Sequence, residues 1–131
     1  MFERALWILE QETFAQTLGV QRVEIAQDRV VARLPYRAEL GEGRVHGGAI
    51  SALVDITATA CFWADAQLTE NARGATVGFT INFLSLVVAT DLTAHASIRR
   101  RGGTLCTGDV SIRNPEDVEV ATAIVTYKLN R

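Results

Sequence analysis

The feature of the sequence that most constrains the fold is a long apolar segment, residues 47–64. Its length and its many small residues favour an α-helix over a strand. Glycine, serine, threonine and one carboxylate, Asp55, interrupt the segment, which makes it a poor membrane span. A helix this apolar has to be covered on most of its surface, so we expect it to form the buried centre of the fold.

Short segments of β type lie on both sides of this central helix. Two precede it at residues 20–25 and 29–34, and four follow it at residues 75–88, 91–101, 104–114 and 118–129. Their β-branched residues and turn-type boundaries favour strands. The last four predict a meander in which consecutive strands pair. Residues 2–16 predict one short amphipathic helix that ends near Gly19.

This order of elements predicts an α+β architecture. A curled antiparallel sheet wrapped around the central helix is the simplest cover for so apolar a helix in a chain of 131 residues. No linker or internal repeat interrupts the pattern, so we predict a single domain over residues 1–131. The exposed edges of such a sheet would favour dimerisation.

Composition and charge exclude several classes of protein. The net charge of −2 gives no basic surface for nucleic acid, although Arg99, Arg100 and Arg101 form a local cluster. Cys61 and Cys106 lack the spacing of metal ligands and are interpreted as buried free thiols in a reducing compartment. The N-terminus does not have the pattern of a secretory signal. We therefore predict a cytoplasmic protein without nucleic-acid or membrane partners.

Asp55 is the only ionisable carboxylate of the central helix, where an unpaired charge costs several kcal/mol. Two interpretations are open. The carboxylate is either satisfied by an arginine of another subunit or by helix-terminal amides, or it is a general base or nucleophile whose pKa is set by partial burial.

Gly47 and Gly48 leave backbone N–H groups uncovered at the start of the helix, where they and the helix dipole can bind a developing oxyanion. The alternative is that they only permit a tight turn or close packing. Gly47 lies eight positions before Asp55, about 12 Å along a helix, so one carbonyl cannot easily contact both. If both serve one reaction, they come from different chains across a two-fold axis, and we predict an obligate dimer.

The two histidines are interpreted differently. His46 directly precedes the glycines, and we favour a positioning role through a hydrogen bond to the backbone over acid–base chemistry. His95 alternates with apolar residues in a strand and is interpreted as structural. Two widely separated histidines without carboxylates at fixed spacing do not form a metal site, so we expect no metal.

His46-Gly47-Gly48 followed by Leu53-Val54-Asp55 resembles the hotdog-fold acyl-CoA thioesterases of the phenylacetic-acid-pathway (PaaI-like) type. Residues 76–84 and the turn at residues 100–103 reinforce the resemblance, which covers residues 20–129. It implies hydrolysis of an acyl-CoA with an aryl or short-to-medium acyl group by a homodimer or homotetramer. It implies no cofactor, because coenzyme A is part of the substrate.

The resemblance also implies roles for individual residues. The Gly47 N–H would donate to the thioester oxygen, and Asp55 of the opposite subunit would activate water or attack the carbonyl. Thr76 would help to hold the water or the carboxylate, with an ordinary strand threonine as the alternative. Gly48 would bind substrate at the helix start.

Arg100 and Arg101 would lie near the coenzyme A phosphates, where guanidinium contacts are effective, unless they form only a solvated turn. The chain departs from the family at Leu40, where many relatives have an asparagine six positions before the histidine. Leucine cannot make the hydrogen bond of that asparagine.

Two other functions fit the same fold. A hotdog hydratase or dehydratase acting on acyl thioesters would need His46 as the base, and a non-catalytic acyl-CoA-binding module would not need Asp55 for turnover. The acyl group cannot be read from the spacing of residues. Phe62, Trp63 and Phe83 could line its pocket, although residues of this type are more often part of the core.

Overall fold

A six-stranded antiparallel sheet curls around one long helix in the computed structural model, which describes residues 1–131. The elements are α1 Glu3–Glu10, α2 Thr13–Leu18, β1 Gln21–Ala26, β2 Arg29–Leu34, a 3-10 turn at Ala38–Leu40, α3 Gly47–Trp63, β3 Arg73–Phe83, β4 Leu92–Arg101, β5 Leu105–Arg113 and β6 Glu119–Asn130. The strand order is β1-β2-β4-β5-β6-β3, and all neighbours are antiparallel. The predicted α+β hotdog architecture is confirmed.

Helix α3 is the buried centre of the fold, as its apolar sequence predicts. Leu53, Val54 and Phe62 are fully buried against the concave face of the sheet, and burial of each such side chain stabilises the fold by about 1.5–3 kcal/mol. The only buried polar residue, Thr57, donates its hydroxyl hydrogen bond to the Leu53 carbonyl at 2.7 Å. A Cβ at Gly108 of β5 would lie 3.1 Å from Phe62 Cζ, so the glycine lets the helix approach the sheet closely.

The predicted four-strand meander is wrong in one strand. Strands β4, β5 and β6 form a meander, but β3 pairs with β6 and lies at the edge of the sheet, while β4 pairs with β2. Strand β3 ends at Phe83 rather than at residue 88. The segment that follows packs against the loop before α3, because the Val87 carbonyl accepts a hydrogen bond from the Val45 N–H at 2.9 Å.

The predicted N-terminal helix is also corrected, because the segment forms two helices. The carboxylate of Glu12 accepts hydrogen bonds from the N–H groups of Phe14 and Ala15 at 2.9 and 3.1 Å, which starts a new helix. Gly19 ends α2 with a φ of 96°, as a C-terminal glycine does.

Arg101 caps the other end of α3. Its guanidinium donates to the Phe62 carbonyl at 3.1 Å and to the Cys61 carbonyl at 3.4 Å. It also donates to Asp28 at 2.9 Å and lies 3.6 Å from Asp65. These contacts connect the end of the central helix to the β1–β2 turn and to the loop after α3.

Both cysteines are buried and free, as predicted. Burial raises the pKa of the Cys61 thiol to about 12, so this thiol stays protonated near neutral pH. None of the helices has both the length and the apolar character needed to cross a bilayer.

Candidate active site

Asp55 lies half-buried on α3, at the wall of a cavity of about 400 Å³. Thr76 of β3 donates a hydrogen bond from its hydroxyl to Asp55 Oδ1 at 2.7 Å. A β-bulge interrupts the β3–β6 register between Thr76 and Gly78, directly after this contact. The other oxygen of Asp55 has no hydrogen-bond partner, and the carboxylate has no ion pair within the chain. An arginine or helix-terminal amides of the same chain therefore do not satisfy Asp55.

Four of the twelve residues that line the Asp55 cavity are aromatic, and five come from residues 4–14, in the N-terminal helices and the turn between them. The lining residues are Arg4, Trp7, Ile8, Glu12, Phe14, Asp55, Ile56, Thr59, Trp63, Arg73, Gly74 and Tyr127. The guanidinium of Arg4 lies 4.1 Å from the centroid of the Trp63 ring, in a cation–π contact. Trp7 and Phe14 are about half exposed, at 53% and 54%, so this wall is open to a ligand.

Most of these lining residues were not identified from the sequence. The amphipathic pattern of residues 2–16 indicates that the N-terminal segment covers apolar surface, but it does not indicate that the covered surface contains Asp55. Trp63 lines this cavity, whereas Phe62 is fully buried in the core. Tyr127 lies in β6 among alternating residues, and no local motif distinguishes it.

Gly47 lies in a different cavity, of about 280 Å³, at the N-terminus of α3. His46 is the N-cap, and its Nδ1 accepts a hydrogen bond from the Gly48 N–H at 2.8 Å. The His46 carbonyl accepts from the N–H groups of Ala49 and Ile50. The Gly47 N–H has no acceptor in the chain and stays available to a ligand. The ring of Phe83 lines the same cavity and would lie 3.3 Å from a Cβ at position 47.

The two cavities share no residue, so one chain does not bring Gly47 and Asp55 together. This agrees with their separation of about 12 Å along the helix axis. Each chain therefore carries two separate halves of the predicted site. One half has a carboxylate and an aromatic pocket, and the other has a free backbone donor at a helix N-terminus.

The three consecutive arginines have three different environments. Arg99 makes a bidentate contact with Asp109, at 3.0 Å for the shortest pair. Arg101 is directed into the fold and its side chain is only 14% exposed, so the predicted contact of Arg101 with coenzyme A phosphates does not fit the structure. Arg100 is exposed and has no ion-pair partner, and its predicted phosphate contact stays a prediction.

The remaining residues singled out from the sequence have structural environments. Leu40 is buried, and its carbonyl accepts a hydrogen bond from the His46 N–H at 2.7 Å. His95 lies half-buried in β4 between Val31 and Ser111 of the neighbouring strands. No group of three histidine, cysteine, aspartate or glutamate side chains is arranged to hold a metal ion.

Comparison with known proteins identifies the family. Residues 42–121 match the family model described as Thioesterase superfamily. A Halobacterium salinarum protein named as a candidate esterase is 30% identical over 105 residues, which cover 76% of this chain and 69% of that protein. A Deinococcus radiodurans protein named in the same way is also 30% identical over 105 residues, and the match spans 64% of its length.

Solved structures share the fold over nearly the whole chain. A thioesterase family protein from Silicibacter pomeroyi superposes with a TM-score of 0.88 at 21% identity, covering 97% of this chain and 96% of that chain. The PaaI protein of the E. coli phenylacetic acid degradation operon gives 0.82 at 21% identity, with 100% and 97% covered. S. sahachiroi AziG gives 0.82 at 28% identity, with 92% and 98% covered. The chain therefore belongs to the Thioesterase superfamily and has the hotdog fold.

Proposed function

We propose that this protein hydrolyses an acyl-CoA thioester with an aryl or short-to-medium acyl group, releasing the free acid and coenzyme A. The observation that carries the proposal is the burial and hydrogen bonding of the Asp55 carboxylate. The carboxylate is half-buried beside an aromatic cavity, one oxygen is fixed by Thr76, and the other has no partner in the chain. A carboxylate in this setting can accept a proton from water or attack a carbonyl. Membership of the Thioesterase superfamily supports a thioester as the substrate.

The oxyanion would form against the free Gly47 N–H at the positive end of the α3 dipole. Because Gly47 and Asp55 occupy separate cavities of one chain, we infer that Gly47 of one chain meets Asp55 of a second chain across a two-fold axis. His46 would position this donor, since it fixes the adjacent Gly48 N–H.

The edge of the sheet supports a two-chain site. Strand β3 has only one neighbour, β6, and its other edge is open. Three large apolar residues of this strand are exposed: Val77 at 61%, Phe79 at 37% and Phe83 at 50%. An open, apolar strand edge favours pairing with another strand. Pairing of two β3 edges would cover these side chains and place the two copies of α3 side by side.

The proposed reaction proceeds through a tetrahedral intermediate. The oxygen of a water molecule attacks the thioester carbon while Asp55 accepts a proton from that water. The carbonyl oxygen becomes an oxyanion held by the Gly47 N–H, and collapse of the intermediate breaks the C–S bond. The coenzyme A thiolate leaves and takes up the proton that Asp55 accepted from water, which restores the Asp55 carboxylate. Direct attack by Asp55, through an acyl-enzyme anhydride that water then hydrolyses, would use the same groups.

Two further residues are proposed as substrate contacts. Arg100 is exposed and unpaired, so its guanidinium can contact a coenzyme A phosphate. Gly48 would contribute through its lack of a side chain, because its N–H already binds His46 and a Cβ there would lie 3.0 Å from the imidazole.

The hydratase alternative has less support from the geometry. It requires His46 as the base, but Nδ1 of this histidine already accepts the hydrogen bond from the Gly48 N–H, so this nitrogen is not free to take a proton from a substrate. Conversion of a 3-hydroxyacyl-CoA to an enoyl-CoA without thiol release would establish the hydratase function instead.

Release of free coenzyme A tests the proposal directly. Wild type and Asp55→Asn are compared on a panel of aryl- and short-to-medium acyl-CoAs with a thiol reagent, at matched oligomer content. We expect Asp55→Asn to lose about 100-fold or more of kcat, because it removes the general base or nucleophile. Asp117→Asn is the matched control, since Asp117 lies in the exposed turn before β6. Equal thiol release by wild type and Asp55→Asn, or none from either, would exclude the proposal and favour a binding module.

A further inference from the structure

The hydroxyl of Tyr127 is buried and makes one hydrogen bond within the chain, as an acceptor. The residue is 3% exposed, and its hydroxyl oxygen accepts a hydrogen bond from Trp63 Nε1 at 2.8 Å. The ring stacks on Phe62 with the centroids 4.8 Å apart and the planes at 14°. A phenol can donate as well as accept, yet the chain supplies no acceptor for the Tyr127 O–H. A buried donor without an acceptor is unfavourable and calls for a partner.

This unpaired donor faces the candidate site. Tyr127 lines the same cavity as Asp55, and it lies directly across from Thr76 in the β3–β6 register. Gly74 makes room for it, because a Cβ there would lie 2.5 Å from Tyr127 Cε1 and 3.0 Å from the hydroxyl oxygen. The absence of a side chain at Gly74 therefore leaves the hydroxyl at the cavity wall.

The electrostatic surroundings keep this hydroxyl a donor. Burial raises the pKa of Tyr127, and the negative charge of Asp55 raises it further, while the Trp63 N–H and Arg4 act in the opposite direction. The phenol therefore holds its proton near neutral pH. Since the Trp63 N–H occupies one lone-pair position of the oxygen, the O–H is left for a different direction.

We propose that Tyr127 is a specificity-determining residue, whose O–H, held by Trp63, donates to an acceptor oxygen on the acyl group bound in the Asp55 cavity. The inference rests on the proposed thioester hydrolysis and narrows its substrate class to acyl groups that carry an oxygen substituent. The apolar body of such a group would contact the aromatic walls at Trp7 and Trp63, and its oxygen would satisfy the buried donor. A pure hydrocarbon acyl group would leave the Tyr127 donor unpaired.

The test compares matched acyl-CoAs that differ in one acceptor oxygen. The pairs are the three methoxyphenylacetyl-CoA isomers against the corresponding methylphenylacetyl-CoAs, and 3-oxohexanoyl-CoA against hexanoyl-CoA. For each pair, the ratio of kcat/KM is measured in wild type and in Tyr127→Phe. We expect wild type to prefer the oxygenated member of at least one pair by about 10-fold or more. Tyr127→Phe should bring that ratio close to one.

Binding to an inactive background separates recognition from chemistry. The same pairs are titrated by calorimetry into Asp55→Asn and into Asp55→Asn combined with Tyr127→Phe. We expect the affinity preference for the oxygenated member to disappear with the hydroxyl. If wild type released no thiol from any substrate but the affinity preference for the oxygenated member still depended on Tyr127, only the proposed hydrolysis would be overturned.

Two further variants test the specificity role of Tyr127, one as a control and one through its hydrogen-bond partner. Thr57→Val removes another buried hydroxyl, whose proton is already bound by the Leu53 carbonyl, and should leave the substrate ratio unchanged. Trp63→Phe removes the N–H that holds Tyr127 and should weaken the preference while the hydroxyl remains. A Tyr127→Phe variant that slows all substrates by one common factor, or that only lowers the melting temperature, would overturn the specificity role and assign Tyr127 to the chemistry or to the fold.

Discussion

His46 combines two properties that substitution can separate: an acceptor atom that caps a helix and an imidazole that could transfer protons. Nδ1 binds the Gly48 N–H in the way that an asparagine or aspartate N-cap does. In the proposed site, this cap would fix the direction of the neighbouring Gly47 N–H. The structure therefore gives His46 a contact that explains its presence without acid–base chemistry.

Replacement of the His46 cap tests this interpretation. His46→Ala should lower the free energy of unfolding by about 1 kcal/mol, the usual loss for an N-cap, and reduce thiol release. His46→Asn keeps an acceptor at the cap and should lose less of both. Urea unfolding and the thiol assay measure the two effects. A His46→Asn protein of normal stability that releases no thiol would show that the imidazole itself takes part in the reaction.

Among the structural elements, α3 ends in a small network of charges that is mostly shielded from solvent. Arg101 contacts Asp28 and Asp65, whose side chain is only 7% exposed. Burial alone would raise the pKa of Asp65, but the Gln67 N–H, the Gln27 amide and Arg101 outweigh it, and the pKa lies below its ordinary value. The ionised form of Asp65 thus stabilises the folded chain.

The lowered pKa of Asp65 predicts an acid-sensitive contribution to stability. A carboxylate whose pKa is lower in the folded than in the unfolded state contributes fully above about pH 4, and the contribution is lost as the pH falls through the folded value. Urea unfolding near neutral pH and at about pH 3 should therefore show a smaller acid loss for Asp65→Asn than for wild type. Equal acid losses in the two proteins would contradict this role of Asp65.

How much of each element the sequence could predict depends on how local its cause is. The position of α3 and the β1–β2 turn at residues 27–28 follow from local patterns, and the structure confirms both. The partner of β3 does not, because β2 and β3 compete for the open edges of the β4–β6 meander and only the packed fold decides between them. The break before α2 depends on one side chain, Glu12, that turns back to cap the following amides.

The candidate site was predictable where its chemistry is unusual for its position. The sequence shows a carboxylate in an apolar helix and a glycine pair at the start of that helix. It also shows that the two lie eight positions apart, too far for one carbonyl to contact both easily. The cavity is not visible, since its walls come from α1, α2, α3, β3 and β6. In the sequence, Tyr127 does not differ from the other inward residues of β6. Its role depends on a hydrogen bond that its oxygen accepts from Trp63, which is distant in sequence.

At the scale of the whole molecule, the open edge of β3 should control both assembly and activity. Phe79→Lys places a charge at this edge and should reduce strand pairing. We expect analytical ultracentrifugation to show dissociation of the proposed dimer, and thiol release to fall as the fraction of monomer rises. Val23→Lys is the matched control, because Val23 lies on β1 at the opposite edge of the sheet and is 56% exposed. Full activity in a monomeric protein would contradict a site shared between two chains.

The separation of Gly47 and Asp55 into different cavities also has a genetic consequence. In the proposed dimer, a chain that lacks Asp55 still contributes its Gly47 N–H to the site that contains the partner's carboxylate. A chain whose Gly47 is blocked still contributes its Asp55 to the other site. Two such defective chains, each inactive with its own kind, would complement each other when they pair, because one of the two sites in the mixed dimer receives both intact halves. An allele that loses Asp55 would then be recessive rather than dominant, since it leaves the partner's own carboxylate in working order.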